Sequence, residues 1–294
     1  MSGYNNSVIR TRLRAAAITD EFSQDLEAVA QAMAGLGMAG AELRVVFGKN
    51  ILELTDAEVD RARQVANSHG LEIVALSSPL LKCTLPGAPP IDSRFQQDVF
   101  GAQYSYEDQP RLAARAFEIA HRTGARILRV FSYWRVVEPQ AVFERVADAL
   151  GALAEQGARE DLIIGIENEH ACNIATGAEA GRLLAAVDQA NLQVVWDPAN
   201  AYVAGERAFP EGYRAMPPER IAHVHAKDCT LEGHRPVWCP LGAGALDWRG
   251  QIGALVADGY RGWVSLETHW PGPQGDKFQG SLICGRNLMS LLAE

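Results

Sequence analysis

The hydrophobic pattern of this 294-residue chain alternates between two periods. Short runs of apolar or β-branched residues, typical of buried strands, begin near residues 14, 40, 71, 126, 161, 192, 220 and 262. Amphipathic segments with helical spacing follow most of these runs. Strand starts recur about every 35 residues, which is the length of one strand–helix unit. The pattern therefore predicts parallel strands that alternate with helices.

The predicted helices carry recognisable end signals. Segments 25–37 and 110–124 finish on glycine, and segment 110–124 also opens on proline, as does segment 139–157. Segment 55–70 opens on the capping residue Thr55 with an acid at its third helical position. The other predicted helices are 177–189, 247–259 and 280–294, with a weaker one around 210–219.

Eight strand–helix units predict an α/β fold of one domain, a closed (β/α)8 TIM barrel over residues 14–294, preceded by a tail over residues 1–13. The alternative is an open, doubly wound sheet, which would need a glycine-rich phosphate loop after the first strand. The sequence there, ITDEFSQDL, has no glycine. Two long connections, 80–109 and 229–246, follow strands and are expected on the carboxyl-terminal face, where barrel enzymes have their active sites.

Composition narrows the class of protein. The net charge of −9 argues against a nucleic-acid partner, because such a surface would be basic. No apolar run approaches the ~20 residues needed to span a bilayer, and the N-terminus has no apolar signal-peptide core, so we expect no membrane association. The five cysteines form no CxxC pair, which favours reduced thiols. A cytoplasmic enzyme for a small molecule fits these features.

Ionisable residues stand at the ends of the four last predicted strands. The strand IENEH places Glu167 after an apolar run, VVWDPAN places Asp197, IAHVHAKD places His225 and VSLET places Glu267. The inward faces of barrel strands converge on one axis, so we expect these four side chains to meet at one height. Three carboxylates cannot share a dry cavity without compensation, because each buried charge costs several kcal/mol.

A divalent cation removes this difficulty. Three carboxylates and one imidazole form an oxygen-rich ligand set that suits Mn²⁺, Mg²⁺ or Co²⁺ better than a thiolate zinc site. Each residue alone has an ordinary explanation: a histidine in a strand is commonly a hydrogen-bonded core residue, and Asp197 before Pro198 could simply begin a turn. Four such residues on four successive strands favour a metal site.

These motifs resemble those of a known family, the xylose isomerase-like TIM barrels, also called sugar phosphate isomerases/epimerases. The segment 18–44 is similar to that family's first βαβ unit, and LSSPLLK at 76–82 to its third strand and loop. IGIENEH, VVWDPAN, IAHVHAKD and VSLET match its four ligand strands in order. The resemblance covers nearly the whole chain.

The resemblance implies one divalent metal ion (Mn, Mg, Co or Zn) bound by Glu167, Asp197, His225 and Glu267. It further implies that Glu167 and Glu267 shuttle protons as the catalytic acid/base pair. The expected function is isomerisation or epimerisation of a sugar, sugar phosphate or related polyol through a metal-stabilised enediolate. The sequence shows no phosphate cradle. Barrels of this family often form homo-oligomers.

Six further residues are candidates for substrate binding. Lys227 shares the face of His225, while Asn200 stands where some relatives carry a histidine. For Arg44 and Glu42 the alternative is an exposed pair, and for Lys82 a solvated loop lysine. The full set is Glu42, Arg44, Lys82, His170, Asn200 and Lys227. His223 is expected one layer below His225, in a structural role.

Other functions compete with isomerisation. A lyase of the same fold, similar to inosose dehydratase, would share the first proton abstraction and then expel a hydroxyl group. A DNA-repair endonuclease of this fold would need additional histidines that the chain lacks, and its acidic balance opposes phosphate-backbone binding. A non-catalytic sugar-binding barrel would not need the four intact ligands.

Overall fold

The structure, a computed structural model, describes residues 13–95 and 104–294. Eight parallel strands close into a barrel. They are β1 (Arg14–Ile18), β2 (Gly40–Leu43), β3 (Glu72–Ser77), β4 (Ile127–Val130), β5 (Ile163–Glu167), β6 (Leu192–Trp196), β7 (Ile221–Ala226) and β8 (Trp263–Leu266). Each strand is hydrogen-bonded to its two neighbours in the order β1-β8-β7-β6-β5-β4-β3-β2. The predicted (β/α)8 barrel is confirmed, with every strand start within two residues of its prediction. The predicted tail lies outside the described residues, apart from Leu13.

Eight α-helices cover the barrel in the part of the chain that the structure describes. They are α1 (Leu26–Leu36), α2 (Asp56–Ser68), α3 (Gln109–Thr123), α4 (Phe143–Arg159), α5 (Gly177–Ala186), α6 (Pro198–Val203), α7 (Trp248–Ala257) and α8 (Lys277–Ala293). Thr55 caps α2 in a full capping box with Glu58, and Gly37 and Gly124 end α1 and α3 in the left-handed conformation. Among the described residues, no helix is both long and apolar enough to cross a membrane.

One predicted helix is wrong. The segment around 210–219 contains a short π turn, Ala208–Gly212, and a 3-10 turn, Pro218–Arg220, in place of an α-helix. The α-helix after β6 is α6, which begins immediately after that strand. Asp197 is its N-cap and Pro198 its first residue, a combination that favours helix initiation.

The described parts of the two long connections follow the carboxyl-terminal ends of their strands, as expected. The connection after β7 forms an antiparallel hairpin, Asp228–Glu232 paired with Arg235–Cys239. The connection after β3 is described on both sides of residues 96–103, and Asp92 in it is buried and paired with Arg94. All five cysteines are free thiols, as predicted.

Small side chains fill the amino-terminal half of the barrel interior around one large ring. Ala16, Ala75, Val195 and Trp263 belong to one buried cluster that is separate from the main core between barrel and helices. Gly40 in β2 lies against this ring, because a β-carbon there would come within 2.8 Å of the β-carbon of Ala16 and 2.9 Å of the indole of Trp263. A side chain at this position would therefore force its neighbours in the barrel interior to shift.

We expect Gly40→Ala to lower the free energy of unfolding by about 1–3 kcal/mol, the usual cost of overpacking a rigid core. The measurement is urea denaturation followed by circular dichroism. Gly35→Ala is the matched control, because no atom lies within 4 Å of a β-carbon at that position in α1. Alanine should be neutral or stabilising in that helix. Equal stability of the two variants would contradict this account of the barrel interior.

Candidate metal and active site

The four predicted ligands come together at the carboxyl-terminal end of the barrel. Glu167 is the last residue of β5, His225 lies in β7, and Asp197 and Glu267 directly follow β6 and β8. One ligand atom from each lies within 4.8 Å of all the others, and all four side chains are buried. The four side chains therefore meet as the strand-end argument expects, because the parallel strands of a barrel end at one rim.

His225 is at the centre of the cluster. Its Nδ1 lies 3.3 Å from Oε1 of Glu167, 3.4 Å from Oε2 of Glu267 and 4.0 Å from Oδ2 of Asp197. Its Nε2 points the other way, to Glu42. The imidazole therefore presents one nitrogen to the three carboxylates and the other to a carboxylate below them.

Three cations of the chain compensate the buried carboxylates. Arg129 donates to Oε2 of Glu167 at 2.8 Å, and Arg44 donates to Oε1 of Glu267 at 2.8 Å. Nζ of Lys227 lies 2.7 Å from both Oδ2 of Asp197 and Oε2 of Glu267. A buried carboxylate that loses such a partner is strongly destabilising, so these cations are part of the folded core.

The pKa values of the cluster follow from burial opposed by these pairs. Burial raises the pKa of Asp197 to about 6, and the neighbouring carboxylates add to the rise while Lys227 opposes it. Burial also acts to raise the pKa of Glu267, but Lys227, His269 and His225 hold it well below its usual range. Burial lowers the pKa of His225, yet the carboxylates of Glu42, Glu167 and Glu267 outweigh burial and raise it well above its usual value.

The chemistry of the donor set fits a divalent ion. Three carboxylates and one imidazole supply oxygen-rich coordination for Mn²⁺, Mg²⁺ or Co²⁺. Oδ2 of Asp197 is buried and lies 2.7 Å from the ammonium of Lys227, so an ion bound by this oxygen would share it with that cation.

The six predicted substrate-binding residues fall into three pairs, and the first pair is Arg44 and Lys82. Arg44 and Lys82 line a pocket at this end of the barrel together with Arg129, Glu169 and His269. The ammonium of Lys82 lies 4.4 Å above the ring of Phe131 and 5.6 Å from that of Trp134. Arg44 does not form the exposed pair with Glu42 that the alternative foresaw; it is buried and bound to Asp20, Glu21 and Glu267.

Asn200 and His170 form a chain of polar contacts beside Glu167. Asn200 Nδ2 donates to Oε1 of Glu167 at 3.1 Å, and its Oδ1 lies 2.9 Å from Nδ1 of His170. His170 is partly buried and also lies 3.0 Å from Glu169. Burial acts to raise the pKa of Glu169, but its cationic neighbours together lower it to about 2. These residues can orient Glu167 and present polar atoms next to it.

Glu42 lies below the cluster, whereas Lys227 lies within it. Glu42 is fully buried under His225, and its oxygens accept hydrogen bonds from protein side chains. The prediction for Glu42 is corrected: it faces the barrel interior below the cluster because β2 places it one layer down. Lys227 is buried and paired with Asp197 and Glu267, so in this structure its ammonium serves those carboxylates.

The sequence analysis did not identify several residues of this site. Arg129 interrupts the apolar strand ILRV in the way that His225 interrupts IAHVHA, and the same criterion would have found it. Glu21 and His269 lie beside Arg44 and Glu267. Burial acts to raise the pKa of Glu21, but the cationic groups around it, Arg44 first, together lower it to about 2. Glu21 sits in a short 3-10 turn after β1, where no periodic pattern marks an inward side chain.

Asp228 organises the connection after β7. Its carboxylate accepts backbone N–H hydrogen bonds from Cys229 (2.9 Å), Gly242 (3.0 Å), Gly244 (3.1 Å) and Leu246 (3.2 Å). The hairpin of this connection carries Trp238, whose ring lies 5.0 Å from that of His269 and 5.5 Å from Nζ of Lys227. An aromatic wall thus stands beside the cluster.

The comparisons with known proteins agree with this arrangement. The chain is 30% identical over 191 residues to a 3-dehydroshikimate dehydratase of Pseudomonas aeruginosa, a match that covers 62% of this chain and 29% of that protein. It is 26% identical over 141 residues to an inosose dehydratase of Bacillus licheniformis, covering 43% and 46%. The matches thus span less than half the length of either curated relative.

Solved structures show the same fold. D-psicose 3-epimerase from Clostridium cellulolyticum H10 superposes with a TM-score of 0.66 at 14% identity, covering 96% of this chain and 97% of that one. The sequence model of the xylose isomerase-like TIM barrel family matches residues 30–287, a range that includes all four clustered residues. The chain therefore belongs to the xylose isomerase-like TIM barrel family.

Proposed function

We propose that the chain is a divalent-metal-dependent enzyme that removes a proton from the carbon next to the carbonyl group of a polyhydroxylated ketone. The observation that carries the proposal is the arrangement around His225, where Glu167 and Glu267 approach the same Nδ1 at 3.3 and 3.4 Å. Two carboxylates of this kind can stand on either side of one bound carbon atom. Small sugars and polyols are the substrate class that this arrangement suits.

Glu167, Asp197, His225 and Glu267 would hold the ion. When bound, it would polarise the carbonyl group and stabilise the negative charge that forms as the neighbouring carbon loses its proton. Arg129 and Asn200 hold Glu167, whereas Arg44 and Lys227 hold Glu267. The two carboxylates therefore have different hydrogen-bond partners, which lets one accept a proton while the other donates one.

Dehydration is the continuation that we place first. After the carbon–hydrogen bond breaks, its electron pair forms a carbon–carbon double bond, and a hydroxyl group on the next carbon takes up a proton and leaves as water. Both curated sequence relatives are named as dehydratases, which supports this course over the others. We assign His170, which lies 3.0 Å from Glu169 and 2.9 Å from Asn200, as the donor of the proton to the leaving group.

Isomerisation or epimerisation is the second candidate. Its support is the near-equal approach of Glu167 and Glu267 to His225, since a proton removed by one carboxylate could be returned by the other. The first step is the same in both reactions. Only the fate of the hydroxyl group on the next carbon separates them.

The metal itself is the first test. We expect about one divalent ion per chain after purification or after addition of Mn²⁺, measured by elemental mass spectrometry, and clearly weaker retention in Glu267→Gln. Glu206→Gln is the matched control, because this half-buried carboxylate accepts N–H groups of α5, away from the cluster. A wild-type protein that takes up no ion, even when supplied, would refute the metal site.

Metal uptake should become stronger as pH rises through the neutral range. The pKa of His225 is raised, so without metal the imidazole carries both protons at neutral pH. An ion at Nδ1 must displace one of them, which makes binding compete with protonation. The check is a calorimetric titration with Mn²⁺ at several pH values and in buffers of different ionisation enthalpy, which count the protons released. An Mn²⁺ affinity that stays the same between roughly pH 6 and pH 8, where imidazoles commonly titrate, would contradict this prediction.

The reaction is tested with 3-dehydroshikimate, inosose and a panel of ketoses in heavy water. We expect exchange of a substrate hydrogen for deuterium, observed by NMR, and loss of water from one substrate, observed by mass spectrometry. Glu167→Gln and Glu267→Gln should each lower turnover by roughly 10²–10⁴-fold, because each removes a proton-transfer group. Deuterium exchange with rearranged but not dehydrated product would favour the second candidate, and no exchange with any substrate would count against both.

A further inference from the structure

Glu42 is a buried carboxylate with four side-chain donors. Its Oε2 accepts from Nε2 of His223 at 2.9 Å and from Oγ of Ser265 at 2.7 Å, and its Oε1 accepts from Oγ of Ser77. Nε2 of His225 lies 3.1 and 3.2 Å from the two oxygens. Glu42 is entirely shielded from solvent. A carboxylate with this many donors is saturated by the protein and has no lone pair left for a substrate.

The contact with Glu42 fixes which nitrogen of His225 keeps its proton once the imidazole is neutral, the form in which it can bind an ion. A carboxylate only accepts hydrogen bonds, so Nε2 of His225 must be the donor in this contact. The opposite nitrogen, Nδ1, faces the carboxylates of Glu167 and Glu267. A neutral imidazole held in this way has its lone pair on Nδ1, directed into the cluster.

We infer that Glu42 is a positioning residue for the metal site: it holds His225 as the Nε2–H tautomer and directs Nδ1 at the ion. The inference rests on the proposed metal-dependent function. Ser77, Ser265 and His223 hold Glu42 itself in place from three other strands, β3, β8 and β7. Partners that fix the second nitrogen of a ligand histidine commonly strengthen metal binding by 10–100-fold.

A second metal site at Glu42 is the competing explanation. Glu42, His223 and His225 lie close enough together to hold an ion. The hydroxyls of Ser77 and Ser265 already donate to this carboxylate, however, and an ion there would have to displace them and both imidazole N–H groups. The rings of His223 and His225 pack edge to face, with centroids 5.4 Å apart, and both direct Nε2 at this carboxylate.

The test compares Glu42→Gln with the unmodified full-length protein. The amide keeps the shape of the side chain but replaces one acceptor oxygen with a donor group. We expect Mn²⁺ affinity, measured by calorimetric titration at constant pH, to fall by about 10–100-fold. KM for the substrate should change little once the site is saturated with metal, because Glu42 does not contact the pocket.

The tautomer itself is read by NMR of the Zn²⁺-loaded protein with isotope-labelled histidine. We expect His225, identified by its response to Zn²⁺, to carry its proton on Nε2 and the metal on Nδ1. This measurement needs no variant, so it decides the inference even if Glu42→Gln fails to fold. Coordination through Nε2 in the unmodified protein would overturn the inference.

Two controls separate positioning from general destabilisation. Glu206→Gln removes a carboxylate that accepts from Gly177 and Ala178, away from the metal cluster, and should leave Mn²⁺ affinity unchanged. Ser265→Ala removes one donor to Glu42 but keeps its charge, and should weaken Mn²⁺ binding less than Glu42→Gln. Failure of the unmodified protein to bind metal would refute the proposed function, whereas normal binding by Glu42→Gln would refute this inference alone.

Discussion

Mutual repulsion among three buried carboxylates is the constraint on which this site depends. Glu167, Asp197 and Glu267 meet because parallel strands of a closed barrel end at one rim. Cationic side chains of the fold compensate that repulsion. They are Arg129, Arg44 and Lys227, which lie at or near the ends of β4, β2 and β7. Each cation lies beside a different carboxylate or pair of carboxylates, so the cluster is compensated from several directions while Nδ1 of His225 stays directed at its centre.

Compensation of this kind links the chemistry of the site to the stability of the barrel. A cation that holds a carboxylate in place also decides where a proton or an ion can approach it. Lys227 shows the connection best, since its ammonium contacts two carboxylates that would also be ligands. Binding of a divalent ion would therefore redistribute charge among groups that already stabilise the folded chain, and metal affinity would include the cost of that rearrangement.

Much of this fold can be predicted from the sequence, because hydrophobic residues recur with different periods in strands and in helices, and because the two kinds of element end at different residue types. The four clustered side chains could also be predicted, since strand order and strand ends alone bring them together. The helix after β6 was missed because Asp197-Pro198 reads equally well as a turn or as a helix start. The position of Glu42 depends on a shift in the pairing register of β2 and β3 between Ala41 and Glu42. The alternation of inward and outward side chains along β2 does not reveal such a shift.

Asp228 has a consequence for how such a site can diverge. The connection after β7 is held by this carboxylate through main-chain N–H groups, so these contacts do not depend on the side chains of the connection. The constrained positions include Gly244, where a side chain would collide with the carboxylate, and Gly233 and Gly242, whose φ angles are positive. Exposed side chains of this connection can thus vary on a backbone that Asp228 holds, while the charged centre stays unchanged.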